Sequence, residues 1–172
     1  MIETERIYLK KFREGDTDLL FQLDGDADVM KYITLGVTRT MEEVIDKSMP
    51  RILQSYKERS DFGIFAAYLN DLDEYIGCFQ FEQDKEFKDA IEIGWRLKKQ
   101  YWGNGYATEV AIVLSEMGIE MGKSIVARAM IDNHASIRVM KKAGLEFENE
   151  FWGDYEPHSG SPDVLYKRQL RA

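Results

Sequence analysis

Two glycines stand between a strand-like run and a long helical run in the middle of the chain. Residues 90–97 alternate as a strand does, and from Ala107 apolar residues recur at helical spacing to Met121. Gly103 and Gly105 fall at the corner between the two runs. Glycine adopts positive φ and admits a ligand close to the main chain, and the first turn of a helix presents N–H groups without acceptors. The segment therefore predicts a strand–turn–helix unit with a cradle for an anion, and phosphate is the anion it suits.

Two common phosphate-binding patterns do not fit this corner. The complete P-loop pattern, Gly-x-x-x-x-Gly-Lys-Ser/Thr, does not occur in the chain. A dinucleotide fingerprint needs Gly or Ala where Thr108 stands, and it belongs to the first βα turn of its domain, whereas this corner lies past the middle of the chain. Gln100 and the two glycines instead form a third pattern, Gln-x-x-Gly-x-Gly.

Residues 100–108 resemble the coenzyme A pyrophosphate loop of the Gcn5-related N-acetyltransferases, the GNAT family. Residues 132–136 followed by 142–147 are similar to the second signature of that family, and residues 92–95 together with 6–9 resemble the branch that acetylates ribosomal-protein N termini and polyamines. The resemblance covers essentially the whole chain, with the motifs in the order of the family. It implies the GNAT fold and transfer of an acetyl group from acetyl-CoA, as cosubstrate, to an amine.

Patterns elsewhere in the sequence predict short helices in the amino-terminal part and, further along the chain, strands that alternate with helices. A capping box at Thr40 opens an apolar helical repeat that Pro50 should kink or divide. A long helix should run from the glycine corner to Gly122, and another from His134 to Gly144. Strands are expected at residues 6–11, 62–68, 74–83, 90–97, 124–131, 145–152 and 163–169. This order predicts a single α+β domain, residues 1–172, around one central sheet, and the resemblance implies that the sheet is mostly antiparallel and flanked by helices.

Composition excludes several classes of function. The chain has one cysteine and two histidines, so we expect neither a disulfide nor a metal site. No basic–apolar leader opens it and no run approaches the roughly 20 apolar residues of a membrane span, so we expect a cytoplasmic protein without membrane contact. The net charge of −8 disfavours nucleic acid as a partner. It mildly favours a cationic acceptor, although solubility alone is a sufficient reason for an acidic surface.

The resemblance implies which residues hold coenzyme A. The main chain of Trp95, Arg96 and Leu97 would pair with the pantetheine arm as an added strand does, and an N–H group there would polarise the thioester carbonyl. The complete set of cofactor-binding candidates is Trp95, Arg96, Leu97, Gln100, Trp102, Gly103, Asn104, Gly105, Tyr106, Ala107, Thr108, Asn133 and Ser136. Asn133 also suits the N-cap of the helix that follows. The aromatic residues near the corner suit either a stacking platform or loop anchors.

Glu92 is the candidate general base. An amine with a pKa near 10 is neutral in about one molecule in a thousand at pH 7, which adds ~4 kcal/mol to the barrier, so a base must remove its proton directly or through water. Strand alternation puts Glu92 between the small residues Ala90 and Gly94, which leaves room for a substrate. The resemblance agrees, since polyamine acetyltransferases carry a substrate-contacting glutamate at this position. The other interpretation is a solvated strand glutamate, in which case Asp154 or Glu156 would supply the carboxylate.

The departing thiolate needs a proton or a hydrogen bond. Many members of the family place a tyrosine for this purpose where Met140 stands here, and a thioether cannot donate a proton. Ser136, one turn earlier, and Tyr155, in a late loop, are the candidate donors, with water as a further option. The other interpretation of Ser136 is a backbone bond in the first turn of its helix.

The leading hypothesis is therefore an acetyl-CoA-dependent N-acetyltransferase for a primary amine. The amine would belong to a protein N terminus or to a small molecule such as a polyamine or an amino sugar. The alternative is a catalytically weak acyl-CoA-binding module that acts as a sensor or partner subunit, which Met140 keeps open. Transfer of a longer acyl group stays open too, and the chain would be a monomer or a homodimer.

Overall fold

The computed structural model describes residues 2–58, 61–153 and 160–170. The described residues form strands β1 (Ile2–Glu3), β2 (Ile7–Lys11), β3 (Gly63–Leu69), β4 (Tyr75–Gln83), β5 (Ala90–Leu97), β6 (Ser124–Met130), β7 (Glu146–Phe151) and β8 (Asp163–Arg168). They form helices α1 (Thr17–Asp24), α2 (Ala27–Met30), α3 (Met41–Glu43), α4 (Met49–Glu58), α5 (Tyr106–Glu120) and α6 (His134–Lys142). Shorter turns of 3₁₀ type lie at Glu14–Asp16 and Lys99–Tyr101, and a π turn lies at Val44–Ser48.

The strands form one sheet in the order β1-β2-β3-β4-β5-β6-β8-β7. The pair β5–β6 is parallel, whereas β1–β2, β2–β3, β3–β4, β6–β8 and β7–β8 are antiparallel. The α+β class with a mostly antiparallel sheet is therefore confirmed. Each predicted strand lies within one residue of its expected bounds, while the two-residue β1 has no counterpart in the prediction. The long helices end as predicted, at Gly122 and Gly144, which have φ of +74° and +82°.

The chain forms two compact units, and the first comprises Met1–Glu82 and Trp95–Tyr106. Its core lies between the sheet and the helices that precede β3. The core residues are Phe12, Leu20, Leu23, Val29, Val44, Met49, Ile52, Ile64, Ala66, Tyr68, Tyr75 and Cys78. Cys78 is 3% exposed, and burial raises the pKa of its thiol. It is a buried strand residue and not an activated nucleophile.

The helical repeat after Thr40 is divided, as Pro50 predicts. Thr40 Oγ1 accepts a hydrogen bond from the Glu43 N–H, and Glu43 Oε2 accepts one from the Thr40 N–H, so the capping box is confirmed. The π turn follows, in which the Met49 N–H donates to the Val44 carbonyl five residues back. Pro50 has no N–H for the carbonyl four residues before it, and this missing donor favours the wider turn.

The second unit comprises Gln83–Gly94 and Ala107–Ala172. Within it α5 packs closely on the parallel pair of strands because Gly118 has no side chain. A Cβ atom at Gly118 would collide with Ile125 Cδ1 and would lie 3.3 Å from Ile91 Cδ1. Both isoleucines are fully buried. This close approach fixes which face of β5 and β6 is covered by α5.

Candidate active site

The glycine corner joins β5 to α5 through the 3₁₀ turn at Lys99–Tyr101. Gly103 and Gly105 are exposed and have φ of +78° and +82°. Among the described residues, a Cβ atom built at Gly103 would meet nothing within 4 Å, and one at Gly105 would meet only Arg6 Nη2, at 3.6 Å. The corner is thus open space bordered by main chain, with the N–H groups of residues 106–108 at the start of α5. Such a corner fits a diphosphate.

The side chains of the loop hold its main chain and leave the corner open. Trp102 Nε1 donates to the Leu97 carbonyl at 2.7 Å. Asn104 Nδ2 donates to the carbonyls of Tyr101 and Trp102 at 3.1 and 3.2 Å. Gln100 Nε2 donates to the hydroxyl of the buried Tyr101 at 3.0 Å. These contacts favour loop anchoring over a stacking platform as the role of the aromatic residues.

Arg6 lies against the same loop, although 98 residues separate it from Asn104. Its Nη1 donates to the Asn104 carbonyl at 3.2 Å, and its Cζ lies 4.7 Å from the centroid of the Tyr106 ring. Sequence reasoning missed Arg6 as a site residue; its signal was a basic residue within the amino-terminal motif. The contact brings a guanidinium, which suits phosphate, to the edge of the corner.

Arg96 directs its side chain into the first unit. Its Nη1 donates to Asp24, which is fully buried and also accepts from Ser48 Oγ at 3.3 Å and from Arg39 Nη1 at 3.4 Å. A buried carboxylate needs such partners. Because its guanidinium is bound to Asp24, Arg96 would serve a cofactor through its main chain, which is the role expected for it.

The parallel ladder between β5 and β6 is short. Its register pairs are Ala90–Ser124, Ile91–Ile125 and Glu92–Val126. Glu92 therefore lies in the last pair, while β5 continues to Leu97. Alternate side chains of a strand point to opposite faces, so Glu92 lies on the face that α5 does not cover. Its side chain is 26% exposed.

Arg128 on β6 connects Glu92 to a turn after β4. Its Nη1 donates to Glu92 Oε1 at 3.1 Å and to Asp84 Oδ2 at 2.5 Å, and its Nη2 donates to Glu86 Oε2 at 3.0 Å. Burial alone would raise the pKa of Asp84, but hydrogen bonds from Arg128 and from the Phe87 N–H outweigh it and lower that pKa. Sequence reasoning missed Arg128, Asp84 and Glu86, because Arg128 is 44 positions from its main partner in the sequence.

The second signature opens α6 as expected. Asn133 is the N-cap, and its Oδ1 accepts from the Ser136 N–H at 3.2 Å. The Ser136 side chain is half-buried, and its hydroxyl has no hydrogen-bond partner among the described residues. Met140 is 1% exposed. Of these two positions on one helix face, only Ser136 carries a group that can donate to sulfur.

The candidates are distributed over both units. Trp95, Arg96, Leu97, Gln100, Trp102, Gly103, Asn104, Gly105 and Tyr106 belong to the first, and Glu92, Ala107, Thr108, Asn133 and Ser136 belong to the second. Asp154, Tyr155 and Glu156 lie outside the described residues. In the part of the chain that is described, no three His, Cys, Asp or Glu residues could jointly hold a metal ion, and no helix there could cross a membrane.

Comparison with known proteins gives a consistent result. The family model described as an acetyltransferase (GNAT) domain matches residues 6–146. An uncharacterised N-acetyltransferase of Bacillus subtilis is 32% identical, covering 90% of this chain and 93% of that protein. The crystal structure of a GNAT acetyltransferase from Bacillus anthracis has a TM-score of 0.80 and 28% identity, with 98% of both chains covered. A ribosomal-protein α-N-acetyltransferase solved with coenzyme A shares the fold, with a TM-score of 0.77 and 19% identity over 96% of this chain and 94% of that one.

Proposed function

Because the chain belongs to the GNAT family of acetyltransferases, we propose that it transfers the acetyl group of acetyl-CoA to a primary amine by direct attack of the amine on the thioester. Membership of the family establishes the general activity: this is an acetyl-CoA-dependent N-acetyltransferase. The class of the amine, the order of the proton transfers and the residues that carry them belong to the proposal.

The open glycine corner is the observation that carries the proposal. Main-chain N–H groups at the start of α5 and at Gly103 and Gly105 would bind the diphosphate, with Arg6 at its edge. A helix N terminus contributes about 0.3–1 kcal/mol per anion, and ~2 when partly buried, whereas micromolar affinity needs about 8 kcal/mol. The main chain of residues 95–97 would supply a further part by pairing with the amides of the pantetheine arm.

Glu92 would act first, as general base. Its carboxylate takes a proton from the acceptor ammonium, directly or through water, and frees the nitrogen lone pair. The nitrogen then forms a bond to the thioester carbonyl carbon, and the C–S bond breaks as the electron pair returns from the oxyanion. A main-chain N–H of residues 95–97 would stabilise that oxyanion. The amide nitrogen finally loses its second proton. One of the two protons taken from the nitrogen passes through solvent to the thiolate and the other is released, so that the products are an N-acetyl amide, the free thiol and one proton.

Ser136 would donate a hydrogen bond to the sulfur as the thiolate leaves. Its hydroxyl is one turn before Met140, and it stands at the capped start of α6. Tyr155 or water would be the donor if Ser136 is not. The buried thioether of Met140 also sustains the second candidate function, a module that binds acyl-CoA without turnover.

The acceptor would be a protein N terminus or a small-molecule amine such as a polyamine. The ribosomal-protein enzyme with the same fold supports the first, and the net charge of −8 is compatible with a cationic acceptor of either kind.

One assay tests the enzyme against the module. The protein is mixed with acetyl-CoA and a pool of primary amines that includes short peptides and polyamines, and release of thiol is followed. We expect turnover, and Glu92→Gln should lower kcat by about 10²- to 10⁴-fold on an alkylamine, the usual contribution of a general base, and by about tenfold on an α-amino group, which is easier to deprotonate. Tight binding of CoA with no thiol release on any amine would favour the module, and full activity of Glu92→Gln would refute the role of Glu92.

A further inference from the structure

Arg128 contacts three carboxylates at the end of the parallel ladder. We propose that Arg128 is a positioning residue for Glu92, a role that rests on the proposed function of Glu92 as general base. Its guanidinium holds the Glu92 carboxylate in one place and orientation, so that the carboxylate meets the acceptor ammonium in a geometry suited to proton transfer.

The surroundings of Glu92 on β5 explain why it needs a partner. Its neighbours on the same face are Ala90 and Gly94, which offer a methyl group and no side chain. A glutamate can adopt several rotamers, and small neighbours along its own strand restrict them little, so the orientation of Glu92 depends on contacts from other elements. Arg128 lies two residues beyond Val126, the ladder partner of Glu92, and therefore on the same face of the sheet. The hydrogen bond from its Nη1 to Glu92 Oε1, at 3.1 Å, selects among those rotamers.

Arg128 is itself held in place by the turn after β4. Asp84 accepts from Nη1 at 2.5 Å and from Nη2 at 3.4 Å, and its side chain is 1% exposed. Asp84 Oδ1 also accepts from the N–H groups of Glu86 and Phe87, at 2.9 and 2.7 Å. The Asp84 carboxylate is thus held by hydrogen bonds within the turn, and it holds the guanidinium of Arg128 in a fixed position. Arg128 joins a rigid anchor, Asp84, to the carboxylate that must be positioned, Glu92.

An arginine suits this task and a lysine does not. The guanidinium carries five N–H donors in a planar fork, so that it can hold two carboxylates in a set geometry, whereas an ammonium is a single point on a flexible stem. The carboxylates of Asp84, Glu86 and Glu92 all accept hydrogen bonds from this one guanidinium.

A double-mutant cycle tests the proposal. Arg128→Lys keeps the charge and loses the fork, so kcat should fall by about 10-fold or more, since displacing a catalytic group by ~1 Å costs up to about 10²-fold. KM for acetyl-CoA should stay within about twofold, because the change acts on the proton transfer. In a Glu92→Gln background the same Arg128→Lys change should alter kcat by less than about twofold, because the two residues act as one unit.

The outcomes separate the two proposals. An equal loss of kcat from Arg128→Lys in both backgrounds would show that Arg128 acts on the fold and not through Glu92, which overturns the positioning role. Full activity of Glu92→Gln alone would instead refute Glu92 as base. If Arg128→Lys does not fold, Asp84→Asn weakens the anchor and should give a smaller loss with the same dependence on Glu92. Arg168→Lys is the matched control, since Arg168 on β8 donates to Ser115 at 3.0 Å; kcat should not change.

Discussion

Replacing Gly105 with valine tests whether coenzyme A lies on bare main chain at the glycine corner. Gly105 has a φ of +82°, and a Cβ atom there faces open space apart from Arg6 Nη2 at 3.6 Å. Valine would therefore have two separate effects. It would strain the backbone, because a side chain in the left-handed region costs about 1–2 kcal/mol. It would also put a branched side chain into the space that the diphosphate should occupy.

The two effects appear in different measurements. Strain lowers the free energy of unfolding, and since about 1 kcal/mol shifts Tm by roughly 2–4 °C in a chain of this size, Tm should fall by about 2–8 °C. The blocked corner weakens binding. A hydrogen bond to a charged group contributes about 1.5–3 kcal/mol, so losing even one main-chain contact to phosphate should raise the Kd for CoA at least about tenfold, which is 1.4 kcal/mol.

Gly122 provides a matched control for the strain. Its φ is +74°, and a Cβ atom there would meet nothing within 4 Å among the described residues. It follows the last turn of α5, about 22 Å along that helix from the corner. Gly122→Val should therefore lower Tm by a similar amount and leave the Kd for CoA unchanged, as measured by calorimetric titration of both variants. A wild-type Kd for Gly105→Val, or an equal loss of affinity in both variants, would refute the assignment of the corner to phosphate.

Two further predictions concern side chains outside the corner itself. Arg6→Gln removes the stack on Tyr106 and the hydrogen bond to Asn104, worth about 0.5–1 and about 1 kcal/mol. The Kd for CoA should therefore rise by up to about 10- to 30-fold in the same titration; no change would show that the loop keeps its shape without Arg6. Because burial raises the pKa of the Cys78 thiol, the thiolate is scarcer at pH 8 than in an exposed cysteine, and iodoacetamide should label the folded protein slowly and the urea-unfolded protein quickly. Rapid labelling of the folded protein would contradict the buried position of Cys78.

Elements that carry their own local pattern could be predicted from the sequence. β5 has the predicted bounds because its residues alternate and a turn follows directly, and α5 and α6 end at Gly122 and Gly144, whose conformation few other residues adopt. The π turn before Pro50 could be predicted only as a break, since the proline removes a donor without specifying the turn that replaces it. β1 exists through its pairing with β2, a long-range property that two residues cannot show.

The residues of the candidate site also differ in whether the sequence could predict them. The glycine corner is contiguous in sequence, so its residues and its place between strand and helix could be predicted together. Arg6 and Arg128 could not be predicted as part of the site. Arg6 is positioned by Asn104, 98 positions later in the chain, and Arg128 by Asp84, 44 positions earlier. A strand arginine has the same local pattern whether it is solvated or borders a site. Glu92 could be proposed as a candidate from its small neighbours, whereas its hydrogen bond to Arg128 could not be predicted.

The need for a base depends on the acceptor, so under the proposed role of Glu92 the loss of kcat when this residue is replaced would indicate the acceptor class. An alkylamine with a pKa near 10 costs ~4 kcal/mol to deprotonate at pH 7, whereas an α-amino group with a pKa of about 8 costs only ~1.4 kcal/mol. A thiolate with a pKa of about 8.5 leaves unprotonated at a cost of only ~2 kcal/mol at the same pH. For a polyamine, deprotonation of the amine therefore adds more to the barrier than departure of an unprotonated thiolate. Turnover is thus compatible with the thioether of Met140, which cannot donate a proton. For a protein N terminus the two contributions are similar, and Ser136 would matter as much as Glu92.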